Sequence, residues 1–319
     1  MRIVFFGATE LGYKCCKFLI DNKIGTIVGI FTSPYEFKIS YSRTPVRNIL
    51  FCDFKVIADK FKIPLIEVKD KMHLYYEQLR SLSPEFIVVA GWYYMIPKKM
   101  RCLALNGCAG LHASLLPKYR GGAPLVWAMI NGEAKSGVSF FLFDDGVDSG
   151  DILAQESFII DDNDTIKEVI GKATATSLEI LKKYIPKIAD GTAVRTVQNH
   201  KEATYVPQRT PDDGLINWSW EAKDIRNFIR AQTKPYPGAF TIRNGNKLII
   251  WDADIYSDNS SGNNGEVINV VNKGSQIGIL VSVKSGVLLL KRVQEDGGKE
   301  LEARIYAVRN GVIVGERLG

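Results

Sequence analysis

His112 and Asp148 are the two side chains whose type and setting suit acid–base chemistry. His112 is one of only three histidines in the chain, and it lies near the end of an apolar run at 108–113 that leads into a polar, glycine-rich loop, GCAGLHASLLPKYRGGAP (107–124). At the carboxyl edge of an open α/β sheet, where ligands bind, an imidazole with an unperturbed pKa of about 6.5 can take up a proton or carry charge at neutral pH. Asp148 belongs to DDGVDSGD (144–151), a carboxylate-rich turn after a second apolar run at 137–143. Flanked by small residues, it could approach another strand end, and a carboxylate paired with His112 would fix the imidazole tautomer and favour its charged form. The plainer alternatives are a structural histidine and an ordinary solvated Asp/Gly turn. Asp144, Asp145 and Asp151 have no His or Cys beside them, so no metal site is expected.

These residues need a scaffold, and the hydrophobic pattern supplies one. Runs at 3–7, 26–32, 64–68, 86–91 and 108–113 fit buried strands, and segments at 10–22, 45–62, 71–83, 122–131 and 164–189 fit helices. This alternation predicts an α/β class, a Rossmann-like, doubly wound and mainly parallel sheet covered on both faces. FFGATELG (5–12) reads as a tight strand-to-helix turn; it is not GxGxxG, and the second run ends in Thr32 and Ser33 rather than an acidic residue, which argues against a dinucleotide oxidoreductase. From about residue 262, GEVINVV, SQIGILVSV, GVLLLKRVQ and GVIVGERL are strand-like runs between Gly, Asn and Ser, the texture of a small antiparallel barrel. The break is placed between 191 and 205, giving an α/β domain over 1–200 and a barrel-containing domain over 201–319.

With 46% hydrophobic and 24% charged residues, the chain is neither disordered nor fibrous. No apolar run approaches the roughly 20 residues of a bilayer crossing, and the N-terminus reads as a strand rather than a leader, so a cytoplasmic location without a membrane partner is expected. Five cysteines without a CxxC spacing argue against a disulfide framework or a thiolate metal site. The net charge of +6 favours an anionic partner such as a nucleotide, a folate or RNA.

HASLLPKYRGGAP with Asp148 in VDSGD resembles the folate-dependent formyltransferases, the family of methionyl-tRNA formyltransferase and the nucleotide-sugar N-formyltransferases. The likeness extends to FFGATELG, VVAGWYYMIP (88–97), GVSFFLFDDGVDSGDILAQ, ATYVPQRTPDDGLINWSWEA (203–222) and KPYPGAF (234–240). It implies a Rossmann-like catalytic domain, an OB-like C-terminal barrel, and 10-formyltetrahydrofolate as formyl donor. His112 would assist proton movement while Asp148 orients it. The family's third catalytic residue is an Asn two positions before the His, as in NxHxSLLP, and here that position is Gly110; Asn106 lies too far upstream to stand in for it. Losing such an oxyanion donor typically costs about 10²- to 10³-fold in turnover. A water, a backbone N–H or a reoriented neighbour would have to compensate.

The resemblance assigns the donor pterin to the backbone around Ala90, Gly91, Trp92, Tyr93 and Tyr94, with Val89 and Asp144 in the same set; core packing is the alternative for the rings. Ser114, Leu115, Leu116, Pro117, Lys118, Arg120 and Gly121 would shape the acceptor site, Arg120 or Lys118 facing phosphate unless solvated. For the acceptor, RTPDDGLINW and KPYPGAF look closer to formyltransferases acting on UDP-4-amino-4-deoxy-arabinose, although their RGR is RGG here, with Gly122. The stretch SPYEFKISYSRTP (33–45) carries only Lys38 and Arg43 where the tRNA enzymes carry a basic insertion. The sequence therefore favours a small nucleotide-sugar acceptor, with tRNA as runner-up and homodimerisation left open. Hydrolysis of the same donor and a non-catalytic folate- or RNA-binding role are further alternatives.

Overall fold

The computed structural model describes residues 1–37, 45–259, 261–274 and 276–319. Its first sheet has seven strands in the order Ile152–Ile159, Lys135–Leu142, Cys108–His112, Phe86–Ala90, Arg2–Phe6, Thr26–Thr32 and Leu65–Glu67. Neighbours from Cys108–His112 to Leu65–Glu67 are parallel, and Lys135–Leu142 is antiparallel to both of its neighbours, Cys108–His112 and Ile152–Ile159. Ile3 to Phe6 and Phe86 to Val88 are fully buried, as expected for parallel strands covered on both faces. Helices Glu10–Asp21, Lys55–Phe61, Tyr76–Ser81 and Ile166–Ala189 accompany the sheet.

The turn after the first strand is structural, as its sequence suggests. Thr9 caps the helix by accepting from the Gly12 N–H, and a Cβ on Gly12 would lie 2.3 Å from the Ala90 carbonyl oxygen. Only glycine lets this helix approach the end of Phe86–Ala90 so closely. The expected helix over 45–62 is cut to Lys55–Phe61. Asn48 takes the local backbone instead: its side chain donates to Ala8 O and accepts from Leu50 N, and Glu10 N bonds Leu50 O. Such side-chain bonding competes with helix formation.

The chain resolves into two compact units, 1–124 with 135–159 and 171–206, and 125–134 with 160–170 and 207–319. Within the second, an antiparallel sheet runs in the order Ala239–Arg243, Asn246–Ser257, Val287–Glu295, Gln276–Ser282 and Val267–Lys273, with Leu301–Glu302 beside Val287–Glu295. Helices Ala222–Gln232 and Ala303–Arg309 contribute Ile225, Phe228, Tyr306 and Ala307 to its core. GVIVGERL is not a strand: Gly311 and Gly315 have φ of +61° and +89°, which break extended backbone, and only an isolated bridge joins Glu266 to Arg317. Arg243, 7% exposed, pairs with Glu316 and donates toward Tyr306 Oη and the Asn310 carbonyl. Burial pushes the Glu316 carboxyl up, but the Arg243 bond and charge outweigh it and hold it below the ordinary range. A depressed carboxylate stabilises the fold above its unfolded pKa, a contribution lost as pH falls through the folded value. Glu316→Gln should therefore cost about 2–4 kcal/mol at neutral pH and less under acid conditions, read from urea unfolding at both; an equal cost at each would contradict the linkage.

Candidate functional site

His112 ends its strand and is 8% exposed. Asp148 arrives from the hairpin loop between Lys135–Leu142 and Ile152–Ile159, and its Oδ2 lies 3.5 Å from His112 Nδ1. The same Oδ2 accepts from Gly121 N at 2.8 Å. On the other side of the ring, His112 Nε2 donates to the Tyr119 carbonyl at 2.7 Å. A carbonyl can only accept, so Nε2 carries a proton. The ring thus sits between two acceptors, and gaining a second proton at Nδ1 completes its contact with the carboxylate. The expected pairing of His112 with Asp148 is present, and it points to proton acceptance at Nδ1.

Gly110 pairs with Val89 in the neighbouring strand. A Cβ built on Gly110 would meet Phe143 ring atoms at 2.4 and 2.6 Å. An aromatic ring stands where an amide side chain at this position would start; it fills that space and has no polar donor to replace the amide. Phe143 packs against Phe141, with ring centroids 5.2 Å apart, and against the buried cluster that includes Val89 and Cys108. Nothing in the sequence identifies it.

The 114–122 loop is braced from inside. Ser114 and Leu116 are buried; Ser114 donates to Lys118 O, and Ser139 Oγ donates to Ser114 O while accepting from Leu116 N. Leu115 packs over Gly137. Pro117 is half-buried, and Lys118 is exposed. The expectation that Arg120 meets a phosphate is not met: Arg120 is 1% exposed and its donors go to Gln198 Oε1, Tyr205 Oη and His200 Nδ1. Arg120–Gly121 pairs in parallel with Tyr205–Val206, and Gly121 has φ of +100° with Val206 O 2.4 Å from where a Cβ would stand. Gln198, Thr204 and Tyr205 are site neighbours that the sequence alone does not single out.

The 89–94 segment leaves the strand beside His112, since Val89 and Ala90 pair with Gly110 and Leu111. Val89 and Ala90 are buried, and Gly91 O accepts from Ala8 N. Trp92 packs edge-on against Phe6 and tilts against Tyr94, while Tyr93 donates to Asn48 Oδ1. Trp92 Nε1 and Tyr94 Oη are buried without a hydrogen-bond partner among the described residues. Burial pushes the Tyr94 phenol up to about 12. Two buried donors awaiting an acceptor fit a segment that receives a polar heterocycle. Asp144 is exposed and accepts from Gly146 N and Ser149 Oγ within its own turn. Asp145 pairs with Arg101, whose hydrogen bond lowers its carboxyl pKa. Clefts of about 140 and 460 Å³ are bordered by Leu105 and Asn106 and by Tyr184 and Thr192, and neither includes His112, Asp148 or the 89–94 segment. Of the stretch at 33–45, Lys38, Tyr41 and Arg43 lie outside the described residues. Among the described residues no cluster of metal-ligating side chains occurs, and no helix is long and apolar enough to cross a membrane.

Comparison with known proteins bears on this site as a whole. A methionyl-tRNA formyltransferase of Desulforamulus reducens is 35% identical over 304 residues, covering 95% of this chain and 92% of that protein. A solved methionyl-tRNA formyltransferase from Clostridium thermocellum superimposes with a TM-score of 0.56 at 21% identity, covering 90% of this chain and 100% of the other. An N-formyltransferase from Helicobacter canadensis, solved with folinic acid and dTDP-3-aminofucose, gives 0.63 at 19% identity, covering 90% and 98%. These two likenesses are of fold. Residues 1–185 match the formyl transferase family and residues 209–310 match its C-terminal domain, so the chain belongs to the formyltransferases.

Proposed function

We propose that this chain transfers a formyl group from 10-formyltetrahydrofolate to the amine of a methionyl-tRNA, with His112 as the base. The single observation that carries the chemistry is the imidazole held between Tyr119 O and the Asp148 carboxylate. The co-substrate supplies an activated formyl carbon. Trp92 and Tyr94, with their unpartnered buried donors, would hold its ring system. As the acceptor amine forms its new C–N bond and the folate C–N bond breaks, the amine loses a proton. His112 takes it at Nδ1, and Asp148, fixed by the Gly121 N–H, stabilises the resulting imidazolium until the same proton passes to the departing folate nitrogen.

For the acceptor, the relatives shift the weight away from the nucleotide-linked amino sugar that the sequence favours. The Desulforamulus protein and another, 32% identical over 320 residues from Clostridioides difficile, are both named methionyl-tRNA formyltransferase, whereas the sugar enzyme resembles this chain at the level of fold. The sugar reading keeps one support, the aromatic, sparsely basic sequence at 33–45. Salt separates the two. A tRNA whose binding neutralises 6 to 10 phosphates should lose about 10³- to 10⁵-fold in affinity between 50 and 200 mM salt, and a diphosphate sugar far less. Formyl incorporation into methionyl-tRNA and into UDP- and dTDP-amino sugars across that range is the test. Steeply salt-dependent formylation of the tRNA is expected; turnover of a sugar alone would reverse the assignment.

A further inference from the structure

Three consecutive residues, Tyr119, Arg120 and Gly121, all serve the His112–Asp148 pair. The Tyr119 carbonyl accepts from the imidazole, and the Gly121 N–H donates to the carboxylate. Between them, the Arg120 side chain turns inward to Gln198, whose Oε1 accepts from Arg120 Nε at 3.2 Å and Nη2 at 2.7 Å. Gln198, 4% exposed, then spends its amide donors on the backbone of the Asp148 loop, bonding Asp148 O at 2.9 Å and Gly150 O at 2.6 Å. Asp148 itself has φ of +50°, a left-handed conformation that an Asp tolerates without favouring, so its loop must be held from outside. The remaining Arg120 partners, Tyr205 Oη and His200 Nδ1, are like Gln198 neutral. A fully buried guanidinium that meets neutral acceptors and no carboxylate among the described residues is a demanding way to fill a core. Its geometry makes sense as a rigid fork that orients one amide.

We propose that Arg120 and Gln198 are positioning residues that act on the reaction through Asp148, setting the carboxylate's distance from His112. The inference rests on the reading of His112 and Asp148 as the reacting pair. Gln198→Glu separates the two ends of the relay. It keeps oxygen acceptors for Arg120 and gives the guanidinium a counter-charge, yet it removes both donors to the Asp148 loop. The ionised neighbour of His112 is Asp148; its other contacts are the Tyr119 carbonyl and the Phe141 ring, 6.4 Å away between centroids. Loosening the carboxylate weakens its contact with the imidazolium that forms in the reaction, so the loss should appear in turnover and in the His112 ring-nitrogen signals rather than in substrate binding.

The experiment reads the ring-nitrogen chemical shifts of ¹⁵N-labelled His112 in the free protein at one pH, beside thermal unfolding and formyl-transfer kinetics. In Gln198→Glu these signals should move from their wild-type positions, and kcat should fall about tenfold with little change in KM. Arg120→Lys, which keeps charge but loses the fork, should move both as well; it adds no charge and serves if the first variant does not fold. Unmoved His112 signals in a folded variant overturn the proposal whatever the activity. Moved signals in a protein that transfers no formyl group keep the positioning role and refute the functional reading instead.

Discussion

His112→Asn should lower kcat for formyl transfer by about 10²- to 10⁴-fold, the range that a positioned acid–base group contributes. The fold should survive, because the polar contacts of the imidazole among the described residues are those with Tyr119 and Asp148, and an Asn amide is a smaller polar replacement. Asp148→Asn is the more informative partner. Its amide oxygen can still accept from the Gly121 N–H while its NH₂ donates to the unprotonated His112 Nδ1, which ties up the lone pair that takes the proton and removes the charge that stabilises the imidazolium. A loss of about 10²- to 10⁴-fold with intact substrate binding is expected. Rates at saturation in both substrates, with circular dichroism to check folding, decide it. A loss below threefold in either variant would show that the pair holds the loop and does no chemistry.

Gly110→Asn should lower turnover by about tenfold or more, although it restores the residue that the family resemblance leads one to expect. The new Cβ would overlap the Phe143 ring, and overpacking of this kind costs about 1–3 kcal/mol. Moving that ring also moves the residues that follow it, and Asp148 is among them. Gly110→Asn with Phe143→Ala makes room for the amide and should regain much of the loss, because an aligned oxyanion donor is worth about 10²- to 10³-fold. The measurement is kcat for the two variants and wild type with one acceptor. A tenfold gain from the single substitution would mean that the site around Gly110 has not been rebuilt.

Much of the frame was legible because buried parallel strands announce themselves as short apolar runs, and 26–32 appears in the structure with the same limits. His112 and Asp148 were legible through spacing and motif, since a hairpin loop can bring them together without any long-range pattern. Arg120 was misjudged because an arginine leading into two glycines of a polar loop looks accessible to a phosphate, and its burial depends on Gln198, Tyr205 and His200, which approach from far along the chain. Phe143 was invisible for a related reason: an apolar residue ending a strand reads as core, and only the empty Cβ position at Gly110 gives its ring a meaning. The helix Ala303–Arg309 and the loss of a strand at GVIVGERL turn on two left-handed glycines, a backbone property that apolar content does not report.

The parallel pairing of Arg120–Gly121 with Tyr205–Val206 carries a consequence for the order in which the molecule is made. Tyr119 and Arg120 donate their backbone N–H groups to Thr204, and Gly122 donates to Val206, so the loop that holds both His112 and Asp148 is clamped by residues synthesised some eighty positions later. A nascent chain that has exposed the family's first 185 matched residues already owns every strand of the seven-stranded sheet, and yet it has neither Gln198 nor the clamp. Such an intermediate is a scaffold with an unassembled centre. The loop around Asp148 would therefore gain its last supports late, as the segment through Val206 clears the ribosome.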